Sequence, residues 1–255
     1  MLKLEHVTRR FGGIEAVKDL DLAVPPGARL GLIGPNGSGK TTVLNLISGV
    51  LRPDRGAIRW NGARIDGQPA HRFAQYGIAR TFQNLRLVPH MTVRENVWLA
   101  QHTLPRAAAL RRRSAGEIAR ARRIEELLHA LGLAKWRDEP VAALPLPQQR
   151  RVELARALAR EPQLLLLDEP AGGMTPAETH EMRELIARLV PPSVTLIVVE
   201  HKLDLVARLC PRIAVLDFGR KIAEGPPDDV LRDPRVLEVY FGGAEFPPPR
   251  RAGEG

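Results

Sequence analysis

One cysteine, Cys210, stands in 255 residues, so an intrachain disulfide is excluded. No Cys/His spacing of the kind that holds a structural metal is present either. Aromatic residues make up only 4% of the chain, and any core it builds must therefore be aliphatic. Long apolar runs are missing as well. The longest, "LLLL" at 164–167 and "VTLIVV" at 194–199, fall far short of the ~20 residues that a membrane-spanning helix requires. The start, "MLKLEHVTRR", has no apolar segment of signal-peptide length. These absences set the expectation of a cytoplasmic protein that reaches a membrane only through another protein.

What is present describes an ordinary globular chain, 44% hydrophobic and 26% charged. Its length suits one large domain, or a core with an inserted subdomain. The net charge of +9, from 38 basic and 29 acidic residues, is compatible with nucleic acid, an anionic membrane surface or anionic small ligands, and does not choose among them. Short β-like runs open the chain: "LKLEHV" (2–7), "DLDLAV" (19–24), "RLGLIG" (29–34) and "GAIRWNG" (56–62). Residues 40–50 predict a helix with Val43, Leu44, Ile47 and Val50 on one face. From about 71 to 160 helical patterns replace strands, notably at 114–133 and 148–160. After Pro162 short apolar strands ("QLLLLD", "VTLIVVE", "RIAVLDFGRKIAEG") alternate with helices at 176–190 and 202–209. That alternation predicts an α/β fold with a mostly parallel sheet covered on both faces. The Pro/Gly-rich tail "EFPPPRRAGEG" predicts disorder over 244–255.

Two motifs carry chemistry. "GPNGSGKT" (34–41) fits G-x-x-x-x-G-K-[ST] and sits between a strand and a helix, the context the pattern requires. Gly34, Pro35, Asn36, Gly37, Ser38 and Gly39 form a tight loop. Its backbone N–H groups, with the positive end of the helix, face an anion. Lys40 brings a charge to the β- and γ-phosphates and Thr41 a hydroxyl to Mg²⁺; Thr42, next in the chain, is expected to bind the nucleotide with them. In "LLLLDEP" (164–170), Asp168 ends an apolar strand on the same sheet edge as the loop, in place to hold Mg²⁺ through water. Glu169 follows and would polarise an attacking water.

With these motifs in this order, the chain resembles an ATP-binding-cassette ATPase from residue 2 to about 243. The resemblance implies a P-loop NTPase fold of the cassette type: a mostly parallel core sheet, an antiparallel β part, and a helical subdomain inserted at about 84–160. In "RTFQN" (80–84) it implies that Gln83 is a Mg²⁺ and water ligand at the hinge to that subdomain. In "VVEHK" (198–202) it implies that His201 lies near the γ-phosphate, and in "RRFGG" that Phe11 stacks on adenine. ATP and Mg²⁺ are the implied cofactors. "RTFQNLRLVPHMTVRENVWLA", "PAGGMTPAET", "VEHKLDLV" and "GRKIAEGPPDDVLRDPRVLEVYFG" narrow the resemblance to the branched-chain amino acid (Liv-type) importer ATPases, G-type subunit. The implied partners are a second cassette, transmembrane permease subunits and, indirectly, a substrate-binding protein. The implied place is peripheral, on the cytoplasmic face of the inner membrane. Seven arginines lie in 106–123 with no aromatic among them. A nucleic-acid module would interleave aromatics, so no nucleic-acid partner is expected. The run reads as a solvated helical face on the membrane side.

The family's LSGGQ segment, whose amides grip ATP bound to the other subunit, is "LPLPQ" here. Leu144 and Gln148 match, while Pro145, Leu146 and Pro147 replace Ser-Gly-Gly. Pro147 has no N–H, and each lost hydrogen bond to a charged group is worth ~1.5–3 kcal/mol. Its ring should hold Leu146 extended, leaving the amides of Gln148 and Gln149 to face a phosphate. Thr175 replaces the usual aspartate of the segment that crosses the dimer. An unequal heterodimer is therefore expected, with one competent site on this chain's Lys40, Asp168, Glu169 and His201. Two other readings stand beside it: a regulatory cassette that binds ATP without splitting it, and a soluble cassette ATPase with no transport role.

Overall fold

The computed structural model describes residues 1–101 and 115–241. The expected tail at 244–255 and the arginines from 106 to 113 lie outside the described residues. Two sheets form. Strands β1 (Leu2–Phe11), β2 (Ile14–Val24), β4 (Arg55–Trp60) and β5 (Ala63–Arg64) make an antiparallel sheet in the order β2-β1-β4-β5. Strands β3 (Arg29–Ile33), β6 (Ile78–Arg80), β7 (Leu164–Asp168), β8 (Thr195–Val199), β9 (Arg212–Asp217) and β10 (Arg220–Gly225) make the second, in the order β10-β9-β3-β8-β7-β6. Only β10 runs antiparallel to its neighbour. The α/β expectation, with a mostly parallel sheet and an antiparallel part, is met.

The four consecutive leucines 164–167 show how the sequence builds layers. All four are fully buried, and successive side chains of a strand point to opposite faces. Leu164 and Leu166 join helix α1 (Lys40–Ile47) and the antiparallel sheet in one core, while Leu165 and Leu167 join the helices on the other side. The same alternation divides Leu196 and Val198 from Ile197 and Val199. The sheet needs apolar residues on both faces because both are covered.

Helix α2 (Ala70–Gln75) precedes β6; α3 (Val93–Gln101), α4 (Ala115–Ala130) and α5 (Leu146–Leu158) lie between β6 and β7. Helices α6 (Pro176–Leu189), α7 (Leu203–Leu209), α8 (Pro227–Val230) and α9 (Pro234–Phe241) complete the described residues. Ile124, Leu127, Leu128, Val152 and Leu154 place α4 and α5 in the same apolar cluster as the helix-covered face of the sheet.

Several elements differ from expectation. Strands β1 and β2 are longer than predicted because they form one continuous hairpin, turning at Gly12 with φ 57°. Strand β6 falls inside the stretch read as helical. Its three residues are too few to show a period, and it is a strand because β7 pairs with it. Helix α1 ends at Ile47, not at residue 50. Gly49, at φ 73°, turns the chain against the Phe73 ring, so Val50 leaves the buried face and stands 53% exposed.

Candidate nucleotide-binding and hydrolysis site

Strand β3 delivers the chain at Ile33 into the loop 34–39, and α1 takes it away at Lys40. The loop is held from behind. Gly219 N–H donates to Ser38 O at 3.0 Å, Lys18 N–H to Gly219 O at 2.8 Å, and the Tyr240 hydroxyl meets the Gly34 backbone. Burial pushes that Tyr240 hydroxyl up to about 12. Two glycines have separable reasons. Gly39 has φ 104°, and a Cβ there would collide with the Ala16 carbonyl of β2. Gly37 has φ 80° but faces open space, which leaves its backbone approachable by a ligand. Lys40 Nζ donates to the Gly34 and Pro35 carbonyls, each at 2.8 Å, and lies 3.4 Å from Ser38 Oγ. Burial lowers the Lys40 pKa, and the Glu169 and Asp168 carboxylates oppose that shift.

Asp168 closes β7 at 1% exposure. Its backbone N–H donates to Thr81 Oγ1 at 3.1 Å, and its Oδ2 accepts from Arg80 Nη2 at 2.9 Å. Its Oδ1 is buried and has no hydrogen-bond partner among the described residues. Desolvation raises the Asp168 pKa against the opposing pull of Arg80. Glu169 then turns the chain through a left-handed conformation, φ 48°, with its N–H on Val199 O at 2.9 Å. Such a conformation costs a non-glycine residue of order 1–3 kcal/mol and persists only where the surroundings over-determine it. The turn swings the carboxylate out beside two other predicted residues: Oε1 lies 2.9 Å from His201 Nε2 and accepts from Gln83 Nε2 at 3.2 Å. Asn36, Gly37, Gly39, Lys40, Thr41, Thr42, Gln83, Glu169 and His201, with Ala16, line one cavity of about 270 Å³.

Phe11 is not part of that lining. It ends β1 at 45% exposure, with the Arg9 guanidinium 4.9 Å over its ring. Pro35 and Ser38 line a neighbouring cavity with Asn36 and Gly37, against Phe218 and α9.

The proline segment departs from expectation at two points. Leu146 is not extended; it is the first residue of α5, and the extended residue is Pro145, with φ −59° and ψ 155°. Gln149 N–H is not free, because it closes the first turn on Pro145 O at 3.1 Å. A helix's first N–H groups have no intrahelical acceptor, so Pro147 at the second helical position forfeits no bond within the helix. That tolerance outweighs the pre-proline bias at Leu146. Among the described residues the first-turn amides without a hydrogen bond are therefore those of Leu146 and Gln148. Thr175 caps α6 in a box with Glu178: the two residues exchange bonds from Glu178 N–H at 3.4 Å and from Thr175 N–H at 2.8 Å.

Four further residues organise the site and carried no distinct sequence signal. Arg150 of α5 donates to the carbonyls of Phe82 (3.2 Å) and Gln83 (2.9 Å), and Glu153 accepts from Phe82 N–H at 3.0 Å, which ties α5 to the Gln83 segment. Glu200, 2% exposed, accepts from Ala171 N–H at 2.8 Å and His201 N–H at 3.1 Å, and burial raises its pKa. Lys202 donates to Ala171 O, Met174 O and Thr179 Oγ1 at 3.1, 2.9 and 2.6 Å. An oriented carboxylate beside a phosphate-type loop is an arrangement able to direct water at a bound phosphoryl group.

Among the described residues no helix is long and apolar enough to cross a membrane. Residues 17–172 match the family model described as "ABC transporter", and residues 220–245 match that of the branched-chain amino acid ATP-binding cassette transporter. The chain is 39% identical to the high-affinity branched-chain amino acid transport ATP-binding protein BraF of Pseudomonas aeruginosa, over 96% of this chain and 98% of the relative. It is 36% identical to LivG of Escherichia coli K12, over 96% and 98%. A crystal structure of an ABC transporter's ATP-binding cassette in its ADP conformation superposes with a TM-score of 0.82 at 30% identity, covering 95% of this chain and 98% of that one. The chain belongs to the ABC transporter family, as an ATP-binding and ATP-hydrolysing subunit.

Proposed function

We propose that the chain is one motor subunit of an importer for branched-chain amino acids or related small organic solutes, bound to permease subunits at the cytoplasmic face of the membrane. The match over 220–245 and the relatives' role in branched-chain amino acid transport support that substrate class. The catalytic reading rests on one observation: the Glu169 carboxylate is held by His201 and Gln83 in a cavity that the phosphate loop also lines. In this reading the loop amides from Gly37 to Thr42 and the Lys40 ammonium bind the phosphates. Glu169 orients the attacking water and receives its proton. His201 and Gln83 fix the carboxylate and contact the terminal phosphate and the water. Phe11, exposed at the end of β1, is available to stack on adenine.

Mg²⁺ fits the residues present. A hard cation prefers oxygen ligands, and Asp168 offers a buried carboxylate oxygen without a hydrogen-bond partner among the described residues. Asp168, the Thr41 hydroxyl and the Gln83 amide oxygen would hold the ion, which when bound neutralises charge on the phosphates. Nucleotide binding draws two cassettes together head to tail, and hydrolysis releases them. Because the "LPLPQ" segment presents the amides of Leu146 and Gln148 but none at Pro147, it makes a weaker clamp on the nucleotide of its neighbour. The chain is thus best read as the half of an unequal pair that holds the competent site, joined indirectly to a substrate-binding protein. The test is Glu169→Gln in the assembled transporter. ATP turnover is expected to fall at least a hundredfold; turnover that survives largely intact would put the main catalytic site on the partner.

A further inference from the structure

Arg80 ends β6, three residues before Gln83, and its side chain is 5% exposed. Its guanidinium spans two elements. Nη2 donates to Asp168 Oδ2 at 2.9 Å, and Nη1 donates to Asn45 Oδ1 at 2.7 Å and Ser48 Oγ at 2.8 Å, both on or at the end of α1. Ser48 can accept that bond because its own hydroxyl proton goes to Leu44 O at 2.7 Å. The Phe82 ring covers the guanidinium at 4.9 Å. A second contact from the same strand end fixes the Asp168 backbone, whose N–H donates to Thr81 Oγ1. Among the described residues the Asp168 carboxylate is thus hydrogen-bonded on one oxygen only, and the other is buried without a partner.

We propose that Arg80 is the positioning residue for the divalent cation. By engaging Oδ2 of Asp168 and anchoring that engagement on α1, it presents Oδ1 for coordination and fixes β7 against the helix whose first turn carries Thr41. Only a planar fork with several donors serves acceptors on two elements at once; a lysine ammonium is a point charge on a flexible stem. The geometry also argues against a role confined to fold stability. A buried ion pair is by itself weak evidence for stability, whereas groups that hydrogen-bond a ligating carboxylate set its orientation and typically change metal affinity 10–100-fold when removed. The assignment rests on the reading above that Asp168 and Thr41 hold the cation.

The test uses the full chain with ADP present and Mn²⁺ as the probe ion, followed by the electron paramagnetic resonance signal of free Mn²⁺. Binding of a fluorescent ADP analogue in EDTA is measured alongside. Arg80→Gln and Arg80→Lys are both expected to weaken Mn²⁺ binding about tenfold or more, with nucleotide binding in EDTA unchanged within about twofold. The lysine variant keeps the buried positive charge and stands as the test if the glutamine variant does not fold. Mn²⁺ binding within about twofold of the unsubstituted chain in a folded variant overturns the proposal, as does an equal loss of metal-free nucleotide binding, which would mark a structural role. Asp168→Asn separates the two levels of argument. If it leaves Mn²⁺ binding intact, the metal site itself is misassigned and Arg80 loses its role with it. If it abolishes binding while the Arg80 variants do not weaken it, only the role of Arg80 fails.

Discussion

Replacing Pro147 with alanine separates the two things that a proline at this position does. In the folded chain Pro147 occupies the second position of α5, where an N–H would have no acceptor within the helix. Alanine therefore adds no bond to the helix, and it frees the unfolded chain, which lowers stability by roughly 0.4–1 kcal/mol. Toward a phosphate in front of the helix the change has the opposite sign. Between the unbonded amides of Leu146 and Gln148 a third donor appears, and a hydrogen bond to a charged group is worth ~1.5–3 kcal/mol, or roughly 10–100-fold in an equilibrium. The assay is ATP hydrolysis by the assembled transporter with Glu169→Gln in this chain, so that the remaining turnover reports the site completed by "LPLPQ". The Pro147→Ala substitution is expected to raise that turnover at sub-saturating ATP roughly 10–100-fold, while the urea midpoint of the isolated chain moves slightly down. A folded variant whose residual turnover changes by less than about twofold would refute the view that the missing amide weakens the clamp.

Two further outcomes follow from the geometry. In Gly39→Ala the new Cβ meets the Ala16 carbonyl at a backbone angle of φ 104°, so the loop must shift; nucleotide affinity measured by fluorescence titration should fall at least tenfold, and affinity within twofold would show that the loop is not held against β2 as described. Glu200 has its pKa raised by burial, so the stability it contributes is fully present below the usual carboxylate range and is lost as pH rises through its folded value. Glu200→Gln should therefore destabilise the chain more in acid than at neutral pH, read from urea midpoints at both; an equal loss at both would sink the assignment.

The phosphate loop and the Asp168–Glu169 pair were legible because their chemistry depends on consecutive residues. Six loop residues, one lysine and one hydroxyl must follow one another between a strand and a helix, so the order itself carries the signal. Helix α5 was legible for a similar local reason, although the conformation of its first turn was not. Whether Leu146 or Pro145 takes the extended conformation depends on where the helix begins, and the helix begins where the Gln149 amide finds the Pro145 carbonyl. Strand β6 carries no period of its own inside a helical stretch, because pairing with β7 is what makes it a strand. The helical period places Val50 on a buried face, and Gly49 interrupts that period.

The sequence by itself determined the α/β architecture, the nucleotide class of ligand and the glycine-rich loop between β3 and α1, since periodicity and motif spacing are properties of short segments. Only the tertiary structure decided that Gln83 and His201 meet on a single oxygen of Glu169, that Arg80 occupies one side of the Asp168 carboxylate, and that Lys202 and Glu200 bind the segment after Glu169 to the one that carries His201. These contacts join residues from 29 to 88 positions apart. They exist because parallel strands bring their carboxyl ends to one edge of the sheet, and no local pattern records which side chains will face each other there.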